Sequence, residues 1–96
     1  MLSISIDELL PIIDKVNLID IRNIQSYNNR HIDGAINIPF EKLIVQPSKY
    51  LNPLEKYFIY CTYGITSKKA CQILSNLGYK VVSIDGGYEE WVLKKK

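Results

Sequence analysis

The stretch YFIYCTYGITS, residues 57–67, decides how this chain folds. Its first four residues are aromatic or branched and uncharged, which is typical of a central strand that is covered on both faces. Cys61 follows at the carboxyl end of this strand, and Gly64 permits the chain to turn. A helix is predicted to begin near Thr66. The stretch therefore predicts a strand, a tight loop and a helix, which is the repeating unit of parallel sheets.

Strands and helices alternate along the rest of the chain. The predicted strands are residues 18–21, 35–38, 57–60 and 81–84. The predicted helices are residues 7–15, one turn within 23–30, short pieces between 40 and 53, a helix from Thr66 to the stop at Gly78, and residues 88–93. Such alternation at short intervals predicts an α/β fold with a mostly parallel sheet and helices on both faces.

The composition is that of one ordinary globular domain. The 96 residues are 47% hydrophobic and 23% charged, which leaves room for one core, so a single domain over residues 1–96 is predicted. Twelve basic and ten acidic residues are spread along the chain and give a net charge of +2. Because they form no basic patch, we expect no binding of nucleic acid.

The chain shows no targeting or membrane signal. Asp7 and Glu8 precede any long apolar run, unlike in a signal peptide, and the longest uncharged run, residues 57–67, is too short to span a bilayer. We therefore expect a cytoplasmic protein that does not bind membranes, whose two cysteines stay reduced. One histidine and two separated cysteines do not make a four-ligand zinc site, so no metal or other cofactor is expected.

Cys61 is the candidate nucleophile, because ligands of open α/β sheets collect at the carboxyl ends of the strands. Residues 61–67 contain no proline, so every backbone N–H of a curled loop could point inward. The start of the following helix would favour a thiolate and stabilise an anionic adduct. Such a thiolate could take a sulfur atom from a donor and pass it to a nucleophile. A packed, inert cysteine is the alternative that spacing alone leaves open.

Four ordered segments, which cover nearly the whole chain, resemble the rhodanese family. They correspond to its strand ending in Asp-x-Arg, its His-Ile-x-Gly-Ala-x-Asn-x-Pro segment, its active-site loop and its closing turn and helix. Here they are residues 18–22 (LIDIR), 30–39 (RHIDGAINIP) with Tyr27 before them, 60–67 (YCTYGITS), and 77–81 (LGYKV) with 85–91 (DGGYEEW). The resemblance implies a five-stranded parallel sheet, a six-residue loop from Cys61 to Thr66, and sulfur transfer through a persulfide.

The predicted substrate-binding loop after Cys61 consists of Thr62, Tyr63, Gly64, Ile65, Thr66 and Ser67. Many family members that use thiosulfate carry arginine or lysine in this loop, whereas here Lys68 and Lys69 come only after it. Anionic donors would lose a side-chain clamp, so we expect thiosulfate to be a poorer donor than a protein persulfide. Related phosphatases and arsenate reductases need an arginine where Ser67 stands, which excludes those activities.

Five residues receive individual interpretations from the sequence. Asp20 and Arg22, two apart at a strand end, are predicted to support the site as an ion pair or hydrogen-bond anchor. His31 is predicted to hold a loop rather than to act as a base, and Cys71 to be buried on a helix. Tyr63, if exposed at the loop tip, would form an apolar entrance or contact a protein donor.

The sequence therefore predicts a rhodanese-type sulfurtransferase. It would move sulfane sulfur from thiosulfate, polysulfide or a protein persulfide, through a Cys61 persulfide, to a thiol or other nucleophilic acceptor. Two alternatives remain from other classes of protein. One is a non-catalytic rhodanese-like module whose loop binds a partner protein, and the other is a thiol redox sensor that uses Cys61 and Cys71.

Overall fold

A computed structural model of the protein describes residues 2–95, so Met1 and Lys96 lie outside the described residues. Its strands are β1 (Ser3–Ile4), β2 (Asn17–Asp20), β3 (Ile36–Asn37), β4 (Lys56–Tyr60) and β5 (Lys80–Ile84). They form one sheet in the order β1-β5-β4-β2-β3, and all neighbouring strands are parallel. The α/β class and the five-stranded parallel sheet are thus confirmed, with β4 in the centre as its apolar sequence predicts.

Helices cover both faces of the sheet, as predicted. They are α1 (Ile6–Leu9), α2 (Ile24–Asn29), α3 (Phe40–Val45), α4 (Ile65–Asn76) and α5 (Gly87–Lys95), together with 3₁₀ helices at Leu10–Lys15 and Pro47–Lys49. Alternate side chains of β4 enter two apolar clusters: Ile59 packs with α3 and α4, and Phe58 with α1 and α5. None of the helices within residues 2–95 has the length and apolar character needed to cross a bilayer.

The amino-terminal region differs most from the prediction. The capping box of Ser5 and Glu8 is present, but the expected helix over residues 7–15 is a four-residue α-helix followed by a 3₁₀ helix that contains Pro11. Proline lacks the N–H that an α-helix interior requires, which accounts for the change of helix type. The segment before the cap forms β1, an edge strand that the sequence did not predict as a strand.

The order of the strands creates the site. Asp20 on β2 is in register with Tyr60 on β4, so the carboxyl ends of these neighbouring strands meet at one edge of the sheet. The residues that follow them, Ile21 and Cys61, are therefore adjacent, and Ile21 N donates to Tyr60 O over 3.0 Å. The segments after β2 and β4 thereby form two sides of a cleft.

Candidate active site

The sulfur of Cys61 accepts two hydrogen bonds from the backbone of its own loop. Gly64 N lies 3.1 Å and Ser67 N lies 3.2 Å from Sγ, and the thiol can donate to Ser67 Oγ at 3.5 Å. Within the described chain, only two of the six amides predicted to face the sulfur bond to it. Amide donors stabilise a charged sulfur more than a neutral one, so this arrangement suits a thiolate or a persulfide anion.

Gly64 gives the loop its curvature. Its φ is +91°, a left-handed conformation that side chains rarely adopt, and it is the N-cap of α4. A Cβ here would lie 2.8 Å from Gly86 N, so the close approach to the neighbouring turn also requires glycine. The loop therefore directs the positive end of α4, which begins at Ile65, toward the sulfur.

The beginning of the loop is fixed by α5. Tyr88 N donates to Cys61 O over 2.8 Å, and Glu89 N donates to Thr62 O over 3.0 Å. Gly87, with φ +59°, lies against the same carbonyls, since a Cβ there would be 2.8 Å from Thr62 O. The first amides of α5, which have no partner within their own helix, thus hold the peptide groups on either side of Thr62.

A cleft of about 470 Å³ leads to Cys61. Its residues come from the segment after β2, the start of α2, the start of α3 and the loop; they are Ile21, Arg22, Asn23, Ser26, Phe40, Glu41, Cys61, Thr62, Tyr63, Ile65 and Thr66. Cys61 itself is only 6% exposed, whereas Tyr63 and Ile65 are 66% and 79% exposed. The reacting atom therefore lies at the bottom of a cleft with apolar side chains at its mouth. Of the predicted loop residues, Gly64 and Ser67 lie buried behind the cleft rather than lining it.

Asp20 and Arg22 form an ion pair at the edge of the cleft. The carboxylate is fully buried, and Arg22 Nη2 lies 2.8 Å from Asp20 Oδ2. Burial acts to lower the pKa of Arg22, but its hydrogen bond and ion pair with Asp20 outweigh burial and leave that pKa raised. The same Nη2 donates to Arg30 O, and the guanidinium lies 4.2 Å from the Tyr88 ring centre. The Nε and Nη2 atoms of Arg22 are thus engaged by protein groups.

His31 and Tyr60 hold the segment between α2 and β3. The imidazole Nδ1 of His31 is 2.8 Å from Tyr27 O, and its ring stacks on the Tyr27 ring with centroids 3.8 Å apart. The hydroxyl of Tyr60 accepts a hydrogen bond from Ile32 N, and burial raises its pKa. His31 lines a different cleft from Cys61, which places it outside the sulfur site.

Cys71 is fully buried on α4 within the apolar cluster between the sheet, α3 and α4. Burial, aided by the nearby Cys61, raises the pKa of its thiol from the ordinary 9.0 to about 12. A neutral, enclosed thiol is a poor nucleophile, which argues against a redox sensor that needs both cysteines.

Cys71 is accordingly expected to resist alkylation in the folded protein. At pH 8, iodoacetamide should modify Cys61 and leave Cys71 intact, whereas both should react in concentrated urea, where burial no longer keeps Cys71 neutral. Peptide mass spectrometry of both samples measures this. Equal labelling of the two cysteines in the folded protein would contradict the burial of Cys71.

Two parts of the site were not found from the sequence. The wall formed by α2 and the start of α3 depends on tertiary packing, and no local pattern reveals it. The second part is Ser83, whose hydroxyl contacts Ser67. Ser83 is the polar residue in the otherwise apolar strand of residues 81–84, and this departure from the pattern could have indicated its role. Among residues 2–95, no group of three or more His, Cys, Asp or Glu side chains is placed to bind a metal ion.

Comparison with known proteins identifies the family of this chain. The family model described as rhodanese-like domain matches residues 5–94. The chain is 36% identical over 93 residues, 92% of its length, to thiosulfate sulfurtransferase GlpE of Shewanella oneidensis, of which it covers 89%. It is 28% identical over 82 residues, 84% of its length, to the putative sulfur carrier protein YrkF of Bacillus subtilis, of which it covers 44%.

A solved structure with the same fold supports the same family assignment. The crystal structure of a rhodanese-related protein from Thermoplasma volcanium superimposes with a TM-score of 0.89 and 30% identity, covering 98% of this chain and 93% of that one. The match of the family model to almost every residue, together with the shared fold, shows that this chain belongs to the rhodanese-like domain family.

Proposed function

We propose that this rhodanese-type sulfurtransferase carries sulfur as a persulfide on Cys61. The observation that supports this most directly is the position of Cys61 Sγ at the bottom of the cleft, where the amides of Gly64 and Ser67 donate to it at 3.1 and 3.2 Å. An outer sulfur would lie one S–S bond, about 2 Å, from Sγ, in the cleft that leads to Cys61.

The proposed transfer of sulfur has two steps. With thiosulfate, the Cys61 thiolate attacks the outer sulfur, the S–S bond of the donor breaks, and sulfite leaves with the bonding electron pair: Cys61-S⁻ + S-SO₃²⁻ gives Cys61-S-S⁻ + SO₃²⁻. The persulfide then takes up a proton. A thiolate acceptor attacks its outer sulfur and releases the enzyme: Cys61-S-SH + R-S⁻ gives Cys61-S⁻ + R-S-SH.

The charged groups in the cleft affect which sulfur donor is preferred. The loop side chains are uncharged, and Arg22 is already paired with Asp20 and bonded to Arg30 O. With its Nε and Nη2 engaged, the guanidinium that lines the cleft is not arranged to clamp an oxyanion through two nitrogens. We propose that a persulfide carried by a protein, or a polysulfide, is a better donor than thiosulfate. The similarity to a thiosulfate sulfurtransferase keeps thiosulfate among the donors to be tested.

The decisive experiment is mass spectrometry of the intact protein after incubation with thiosulfate, with polysulfide and with a protein persulfide generated by a cysteine desulfurase. We expect a gain of one sulfur atom that fragmentation assigns to Cys61 and that an added thiol removes. Slower loading by thiosulfate than by the other two donors would support the proposed preference, and faster loading would contradict it. No gain with any of the three donors would overturn the proposed function.

Tyr63 is expected to contribute to docking of a protein donor. Its ring is 66% exposed at the mouth of the cleft, where an aromatic side chain can bury a large area against a partner. Tyr63→Ala should lower the loading rate from a protein persulfide about tenfold, which is the effect of losing a moderate interface contact. Loading from thiosulfate should stay within about twofold, because that ion is too small to need the ring.

A suitable control is Leu54→Ala. Leu54 is 82% exposed but lies in the segment before β4, at the opposite end of that strand from Cys61. This variant should load sulfur from both donors like the wild type. If Tyr63→Ala behaved like Leu54→Ala with the protein donor, the proposed docking role would be wrong.

We further propose that the reaction takes place in the cytoplasm and that the chain acts as a single domain. Cys61 must be a free thiol before each cycle, and a reducing compartment keeps it so. Within the described residues, both clusters of the core pack on one sheet, and Cys61 directly follows β4, the central strand of that sheet.

A further inference from the structure

The side chain of Ser83 lies behind the sulfur site and has no role in the function proposed above. It is fully buried on β5, and its Oγ lies 2.8 Å from Oγ of the equally buried Ser67. Ser67 Oγ in turn lies 3.5 Å from Cys61 Sγ. The three side chains form a hydrogen-bonded chain that leads from the reacting sulfur into the centre of the protein.

The position of Ser83 on its strand is unusual. Val82 and Ile84 point to the cluster that includes α5, whereas Val81 points to the cluster that includes α4, and Ser83 shares the side of Val81. A branched apolar residue would suit this buried site in a parallel sheet, as it does at the three neighbouring positions. A buried hydroxyl is unfavourable unless it is hydrogen-bonded, and the partner of Ser83 is Ser67.

We infer that Ser83 is a positioning residue, which directs the Ser67 hydroxyl at the sulfur of Cys61 and lets that hydroxyl change from acceptor to donor; this role rests on the proposed function. With a neutral thiol, Cys61 donates to Ser67 Oγ, and Ser67 donates to Ser83 Oγ. When the thiol proton leaves to solvent, Ser83 donates to Ser67, and Ser67 donates to the thiolate. Both serines keep their protons and only rotate about their C–O bonds.

The reversal supplies a third donor to the charged sulfur, beside the amides of Gly64 and Ser67. A hydrogen bond to a charged group is about twice as strong as one between neutral groups, and it is stronger still where water is excluded. Without Ser83, the Ser67 hydroxyl would be free to turn toward a backbone carbonyl one turn earlier, as helical serines often do. Ser83 therefore keeps it available to the sulfur.

Other titratable groups surround Cys61 but not Ser83. Arg22, Glu41 and Tyr63 line the cleft with Cys61, and Cys71 is close enough for the two thiols to influence each other. In the described chain, none of these groups hydrogen-bonds to Ser83, whose side-chain partner is Ser67. A substitution of Ser83 consequently leaves the charges around the sulfur in place.

The test is the rate at which iodoacetamide alkylates Cys61 across a range of pH, followed by peptide mass spectrometry. At neutral pH, Ser67→Ala should slow alkylation about tenfold, the effect of one hydrogen bond to a charged group, and Ser83→Ala about threefold. Both substitutions should move the midpoint of the pH profile upward. A purely structural role of Ser83 would change the melting temperature without moving this midpoint. An unchanged midpoint in Ser83→Ala would overturn the inference.

A second pair of variants separates the hydroxyl from packing. Ser83→Thr and Ser83→Val introduce side chains of the same branched shape, but only threonine keeps the hydroxyl. We expect the threonine variant to have the wild-type midpoint and the valine variant to resemble Ser83→Ala. Identical profiles for the two would contradict the inference. Alkylation does not require sulfur transfer, so a failure of the proposed function would show separately, as wild-type protein that reacts with iodoacetamide but takes up no sulfur.

Discussion

Replacing Cys61 with serine is expected to abolish sulfur uptake and transfer while the fold remains intact. An oxygen atom cannot form the S–S bond of the proposed persulfide, so turnover should fall to the uncatalysed background. The serine hydroxyl would still accept hydrogen bonds from the amides of Gly64 and Ser67, which now bond to Sγ. Stability should therefore change by only about 1 kcal/mol, the usual effect of a single substitution.

The matched control is Cys71→Ala, which removes the second thiol from the apolar cluster. That variant should lose stability because it leaves a small cavity, about 1 kcal/mol, yet take up one sulfur atom as the wild type does. Intact mass and thermal melting of the three proteins give both results. Sulfur uptake by the Cys61→Ser protein would place the carrier elsewhere in the chain.

Asp20→Ala is expected to be the most destabilising of the substitutions considered. Asp20 is fully buried, and both of its carboxylate oxygens accept hydrogen bonds from the Arg22 side chain. The backbone N–H of Arg22 donates to Asp20 Oδ1 as well. Removing one member of a buried pair leaves the other charge without compensation, which costs about 3–5 kcal/mol. A domain of this size has a free energy of unfolding of about 5–15 kcal/mol, so the variant should melt far below the wild type.

An exposed ion pair on the surface provides a comparison with the buried pair. Asp7 pairs with Lys94 over 3.2 Å, but both side chains are largely exposed. Asp7→Ala should therefore change the free energy of unfolding by about 1 kcal/mol or less. Urea unfolding of both variants measures the contrast. Similar midpoints for Asp20→Ala and Asp7→Ala would mean that the buried pair does not hold the edge of the cleft.

Much of the fold follows from local pattern, because each major strand is a short apolar run and each major helix has a clear start or stop. The run of residues 57–60 predicts the centre of the sheet, and the glycine at 64 predicts the turn into α4. β1 was missed because two residues carry no detectable alternation, and only their pairing with Ser83 and Ile84 defines them as a strand. Edge strands of that length depend on a partner that the local sequence does not reveal.

The sequence predicts that Cys61 follows the central strand, but not the details of its surroundings. The loop composition places Cys61 at the end of β4, yet the number of amides that reach Sγ depends on how each peptide group is turned. The amides of Gly64 and Ser67 reach Sγ, because the turn at Gly64 and the start of α4 orient these two peptide groups toward it. The support from Ser83 arises from a strand that is distant in sequence from the cysteine, so spacing around Cys61 contains no sign of it.

The bonds from the start of α5 to Cys61 O and Thr62 O have a kinetic consequence. Rotating either peptide plane would break a bond to the helix, so these hydrogen bonds hold the start of the loop in one conformation. In the proposed mechanism, the start of the loop is therefore in place before a donor binds. Catalysis on this scaffold should be limited by delivery of the donor or departure of the product, and not by a slow isomerisation of the enzyme.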